Sequence, residues 1–326
     1  MSLKNLIHKC TVVFIALRRK AKRIAIPGFD GVPIYYVVSF FVKGMIRGSV
    51  TTRASAVAFS FFVALFPTII FLFTLLPFIP IENFQEQLLN LVKGLIPGNA
   101  FDMIETTLVD VVTRKSGGLL SFGFFAALFF SHNGINSLID AFNASYHTFE
   151  TRSFFAQHLV AFLLTILLPL LVTIAIILLF FGKMALSLLV DYELIKMNFT
   201  YYIIVVSQWI VIVALFFFSI SFLYYLAPAK RTKFRFISTG AIMATVFMLV
   251  SSLGFSYFVN NFGQYNTLYG SIGSLLALMI WIYFNAIGLI VGFDLNASIY
   301  RARIDIIEAN NNFEYEHENP EPPQGV

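Results

Sequence analysis

Six apolar runs, at 54–78, 119–142, 159–181, 201–226, 236–259 and 269–299, leave this chain few ways to fold. A helix needs roughly 20 apolar residues to cross a hydrocarbon core about 30 Å thick, and every run reaches that length. In lipid each backbone N–H and C=O must be satisfied within the protein, which makes long spanning segments helical. The expected fold is therefore all-α, a polytopic bundle of six transmembrane helices. Only 12% of the 326 residues are charged, against about 25% in soluble proteins, so a soluble two-domain enzyme is excluded. A single cysteine, Cys10, leaves no internal disulfide to consider.

The net charge of +5 resembles a nucleic-acid signal until the charges are placed. Assigning the flanks of the runs alternately to two sides puts seventeen of the 22 Lys and Arg residues on one side. Lys93, Arg114, Lys115, Lys183 and Lys196 fall on the other. By the positive-inside rule both termini and the KRTKFR loop are cytoplasmic. The basic charge then sets orientation, and no nucleic-acid partner is expected.

Three segments flank the spans. Residues 1–52 form a basic cytoplasmic segment ending in an amphipathic stretch, Pro33 to Thr52, expected to lie along the inner leaflet. Its RRKAKR run suits anionic lipid headgroups or simply holds the N-terminus inside. The external loop 79–118 has apolar residues at helical spacing with Gly and Pro stops, which predicts a small helical cap. That cap is either a plain surface hairpin or a binding cover. Residues 301–326, after the 53–300 membrane domain, read as an acidic disordered tail.

Polar groups in hydrocarbon are costly, so their positions carry the functional signal. In the second run His132, Asn136, Asp140 and Asn143 share one helical face. They make either a hydrated path or an interhelical hydrogen-bond seam. Arg53 opens the first run at the same level as Asp294 near the end of the sixth, so Arg53 with Asp140 or Asp294 forms an expected buried pair. That pair is a gate or a permanent clasp. Asn285 sits one turn before the Gly288/Gly292 step, and Ala56, Ser60 and Ala64 suggest a close-packing face in the first run. Asn260, Asn261, Gln264, Tyr265 and Tyr269, with a loose GSIGS start to the sixth helix, form a candidate outer mouth or an interfacial aromatic belt.

No Walker A loop, HExxH pattern or GxSxG elbow occurs, and the five His residues show no metal-ligand spacing. No catalytic residue, metal or cofactor is expected. RASAVAFSFFVALFP, SLIDAFNASYHTFETRSF, LYYLAP, ISTGA and LYGSIGSLLALMIWIYFNAIGLIVGFDLNA, in that order, resemble the YihY/BrkB family of bacterial inner-membrane proteins. The resemblance implies six transmembrane helices and an envelope role, and a family Glu in a GAE-type motif where this chain has GFD with Asp294. A ribonuclease BN label also travels with that family, but a metal-dependent nuclease of that type needs a cluster such as HxHxDH, which this sequence lacks.

Two functions remain open: transport or flipping of an amphiphile such as a lipid, and a non-catalytic scaffold that docks an envelope protein partner through the external loop. Membrane lipids are the expected partners of the first, and a homo-oligomer is compatible with both. Orientation is testable directly. With Cys10→Ser as background, Lys230→Cys should resist a membrane-impermeant maleimide added to spheroplasts, whereas Lys115→Cys should label. The opposite pattern would invert the topology.

Overall fold

Helices account for nearly all the regular structure. The computed structural model describes residues 24–25, 28–78, 115–145, 152–192, 199–229, 237–261 and 263–318. In chain order the helices are α1 (Ile34–Arg47), α2 (Val50–Leu75, continued by a 3-10 turn at Leu76–Phe78), α3 (Gly117–Asn143), α4 (Phe154–Asp191), α5 (Phe199–Leu226), α6 (Thr239–Asn261) and α7 (Gly263–Glu318). Beyond them, among the described residues, only an isolated bridge joins Ala25 to Pro33. The six long apolar helices expected from the sequence are α2 to α7, with apolar spans at Val50–Phe78, Gly117–Asn143, Phe154–Leu178, Tyr202–Leu226, Thr239–Val259 and Leu275–Glu308. Helices α2 and α4 run on through Pro67 and Pro169.

Lipid does not push helices together as water does, so the bundle relies on close backbone approach and polar contacts. Helix α2 lies along α3 and against α7, α6 lies along α7, and α4 pairs with α5. Large apolar side chains such as Phe125, Phe155, Ile210 and Leu253 point outward, whereas Ala54, Ala58, Ala161, Ala227, Ala241 and Ala244 fill the contacts. The buried stripe of α2 is Arg53, Ala54, Val57, Ala58 and Ala64. Ala56 is exposed and Ser60 only half-buried, turned one step away from that stripe. The expected Ala56/Ser60/Ala64 face is thus corrected by about a third of a turn, because Arg53 and α3 set the rotation of the helix.

Helices α6 and α7 touch most closely at two glycines. A Cβ on Gly292 would lie 2.6 Å from the Gly240 carbonyl and 2.5 Å from the Tyr224 hydroxyl. Just beyond, Ser238 Oγ accepts from Ala241 N at 3.2 Å, and Asn296 Oδ1 accepts from Gly240 N at 2.8 Å. Asn296 Nδ2 donates back to Ser238 Oγ at 2.9 Å. Orphan N–H groups at the start of α6 are therefore satisfied partly by its own Ser and partly by a neighbouring helix.

Three sequence expectations change. The tail, expected to be disordered from 301, is helical through Glu318. Ala302 is buried with Ile299 against Val37 of α1, Arg301 pairs with Asp305 at 3.1 Å, and no proline intervenes before Pro320. The loose start of the sixth helix is instead regular from Gly263. Of the external loop, residues 79–114 lie outside the described residues, and Gly117 and Gly118 already belong to α3. Helix α1 forms where the amphipathic stretch predicted it, packing Val37 on Leu295 and Ile299. Its other face exposes Val38, Val42, Met45 and Ile46.

The glycine crossing yields a stability test. Gly292→Ala should cost about 1–3 kcal/mol, the usual range for overpacking, read as a lowered thermal midpoint in detergent. Gly254→Ala, where a Cβ meets nothing within 4 Å, should leave the midpoint unchanged.

Candidate functional site

The polar groups separate into two neighbouring constellations. The first begins at Arg53, in the opening turn of α2, just after an elbow where Ser49 takes left-handed angles (φ 48). Arg53 Nε donates back to the Gly48 carbonyl at 2.8 Å. Its Nη1 donates to the Ala141 carbonyl at 2.7 Å, near the C-terminus of α3, where a cation complements the helix dipole. Nη2 meets Asp294 Oδ2 at 2.6 Å, and Nη1 lies 3.4 Å from Oδ1. Ser145 Oγ adds a bond to Asp294 Oδ1 at 2.7 Å. The two charged side chains are only 8% and 2% exposed.

An aromatic cluster seals this clasp. Phe142 stacks on Phe293 at 4.5 Å, and Tyr224 meets both edge-on while donating to the Leu289 carbonyl at 2.6 Å. Water is kept out, so each charge depends on its partner. Of the two acids considered for Arg53, the structure selects Asp294.

Asp140 belongs to the second constellation, a polar seam between α3 and α4. It is exposed and accepts from Gln157 Nε2 at 2.7 Å. One turn deeper along α3, Asn136 Nδ2 and His132 Nε2 lie 3.0 Å apart. The His132 ring faces the His158 ring with centroids 5.4 Å apart, and His158 Nδ1 donates to the Phe154 carbonyl at 3.0 Å. His132 Nδ1 and Asn136 Oδ1 are buried without a hydrogen-bond partner among the described residues. From Asp140 to His132 the seam runs about 12 Å along the helix at 1.5 Å per residue, ending near the middle of the 27-residue span.

The remaining candidates divide. Asn143 leaves the seam and uses Oδ1 to accept from Ala229 N at 2.8 Å, tying the end of α3 to the end of α5. Asn285 donates to the Trp281 carbonyl of its own helix at 2.7 Å and joins neither constellation. Asn260 and Asn261 close α6, and Gln264, Tyr265 and Tyr269 open α7, with side chains outside the described residues. Sequence reading missed Ser145, Gln157 and His158. Gln157 and His158, polar residues at the entrance of an apolar run, were the available signal. Ser145 gave none, since its role depends on a helix 149 residues away. Arg152, which donates to the carbonyls of Leu226 at 2.9 Å and Pro228 at 2.5 Å, was read only as a topology charge.

Among the described residues no three His, Cys, Asp or Glu side chains gather as metal ligands. Six apolar helices joined through buried polar groups define a multi-pass integral membrane protein. Residues 41–314 match the family model described as virulence factor BrkB, and the chain belongs to that family. It is similar to the ribonuclease-like protein YfkH of Bacillus subtilis (strain 168), 31% identical over 77% of this chain and 90% of that protein. It is also similar to a UPF0761 membrane protein of Pseudoalteromonas atlantica, 25% identical over 79% of this chain and 84% of that one. No solved structure matches.

Breaking a buried pair leaves an uncompensated charge, typically at about 3–5 kcal/mol. Asp294→Ala should therefore destabilise strongly, whereas the double variant Arg53→Met with Asp294→Leu should recover much of the loss. Thermal unfolding in detergent reads both. A double variant no better than Asp294→Ala would show that the pair does more than cancel charge.

Proposed function

We propose that this protein moves a membrane amphiphile between leaflets, its headgroup travelling along the α3–α4 seam while its tails stay in lipid. The observation that supports this reading is the seam itself: polar side chains one turn apart on an otherwise apolar wall, open at Asp140 and reaching to mid-depth. A polar line of this kind lowers the cost of carrying a headgroup through hydrocarbon, which otherwise opposes crossing. The clasp serves as the fixed inner anchor, since each charged atom in it is already engaged by the fold. In this reading both termini are cytoplasmic, the membrane is the inner membrane, and the activity is non-enzymatic. A scaffold role through 79–118 rests on a segment that lies largely outside the described residues.

Reconstitution tests the proposal. Purified protein in vesicles carrying acyl-chain NBD-labelled phosphatidylethanolamine, phosphatidylglycerol or glucosyl-diacylglycerol should expose inner-leaflet label to dithionite faster than protein-free vesicles for at least one lipid. Asp140→Leu should slow that exposure at least fivefold. Equal bleaching with and without protein for all three would sink the transport reading.

A further inference from the structure

The two unpartnered atoms of the seam limit what it can hold. If the Asn136 amide donates to His132 Nε2, a neutral His132 carries its proton on Nδ1, leaving an orphan donor there and an orphan acceptor at Asn136 Oδ1. If the amide is turned over, His132 Nε2 donates to it, and the orphans become an acceptor on the ring and a donor on the amide. Either way one donor and one acceptor remain unsatisfied. A buried polar atom without a partner is costly, so a ligand entering the seam is favoured when it brings both a hydrogen-bond donor and an acceptor.

The surroundings narrow the class. The polar side chains of the seam are His132, Asn136, Asp140, Gln157 and His158, with no Lys or Arg among them. The nearby cations among the described residues are committed elsewhere, Arg53 to Asp294 and Arg152 to the carbonyls of Leu226 and Pro228. A phosphate would meet the Asp140 carboxylate at the entrance and an unmatched acceptor inside. It would also carry its charge to mid-depth, where ions are most expensive. A hydroxyl supplies both a donor and an acceptor in one group and brings no charge.

We infer that the α3–α4 seam, by parting at His132 and Asn136, binds an uncharged, hydroxyl-rich headgroup, that of a neutral glycolipid, whose hydroxyls then meet the two buried orphan atoms. Asp140 and Gln157 then receive further hydroxyls nearer the surface, since a carboxylate and an amide offer the same mix of donor and acceptor sites. The inference rests on the amphiphile reading and names its substrate class. It concerns binding, so its test is separate from movement across the membrane.

Native mass spectrometry of the full chain, in a polyoxyethylene detergent that offers no sugar headgroup to compete, provides that test. Glucosyl-diacylglycerol should be retained at least fivefold better than phosphatidylglycerol with the same acyl chains. Asn136→Leu and His132→Phe should each abolish that preference, while Asn285→Leu, outside the seam, should keep it. Equal retention of the two lipids by the unaltered protein would overturn the inference even if either variant fails to fold. Preference preserved in both variants would also overturn it. Retained preference without any lipid movement in vesicles would uphold the site and remove only the transport proposal.

Discussion

The ion pair between Arg53 and Asp294 is the constraint around which the bundle is arranged. It joins the first and last spanning helices at 2.6 Å and draws in the end of α3 through Ala141 and the following Ser145. Neither charge could persist there alone at tolerable cost, so each fixes the rotation and depth of the helix that carries it. The small-residue packing follows from that placement. With α7 set against α2, its Gly292 comes onto Gly240 of α6, and Asn296 lies one turn further on to satisfy the start of that helix.

The clasp and the seam differ in kind although they share α3. In the clasp, carbonyls, a hydroxyl and a guanidinium meet the charged atoms, and aromatic rings cover them. In the seam, an exposed carboxylate leads to a His–Asn pair with polar capacity left over. The fold thus puts its rigidity on one side of α3 and its spare hydrogen bonding on the other. The tight contacts of α2, α3, α6 and α7 lie on the clasp side, whereas the seam borders the α4–α5 pair.

The spans were legible because bilayer thickness acts on segment length, a local property. Arg53 and Asp294 were legible as costly ions needing partners, but the choice between Asp140 and Asp294 was not. Both acids sit at the same level, and only the rotation of α3 turns Asp140 toward Gln157. Periodicity put His132, Asn136, Asp140 and Asn143 on one face; the first three line the seam while Asn143 turns to Ala229, and nothing local said that α4 would cover that face with His158. The tail was misread because its acidic composition suggested disorder, while Ile299 and Ala302 had a docking surface on α1 invisible to composition.

The clasp also sets a schedule. Its two ions are 241 residues apart, and a chain grows at about 5–20 residues per second. Arg53 therefore emerges roughly ten to fifty seconds before Asp294 exists to receive it. During that interval its aliphatic stem can lie along lipid while the guanidinium reaches to the headgroups. Only when the last span enters can Arg53 exchange lipid phosphate for carboxylate and the elbow at Gly48 lock. A chain truncated before Asp294 would thus have inserted most of its spans and laid α2 along α3, yet Arg53 would still lack its carboxylate, which makes the final helix the step that completes the clasp.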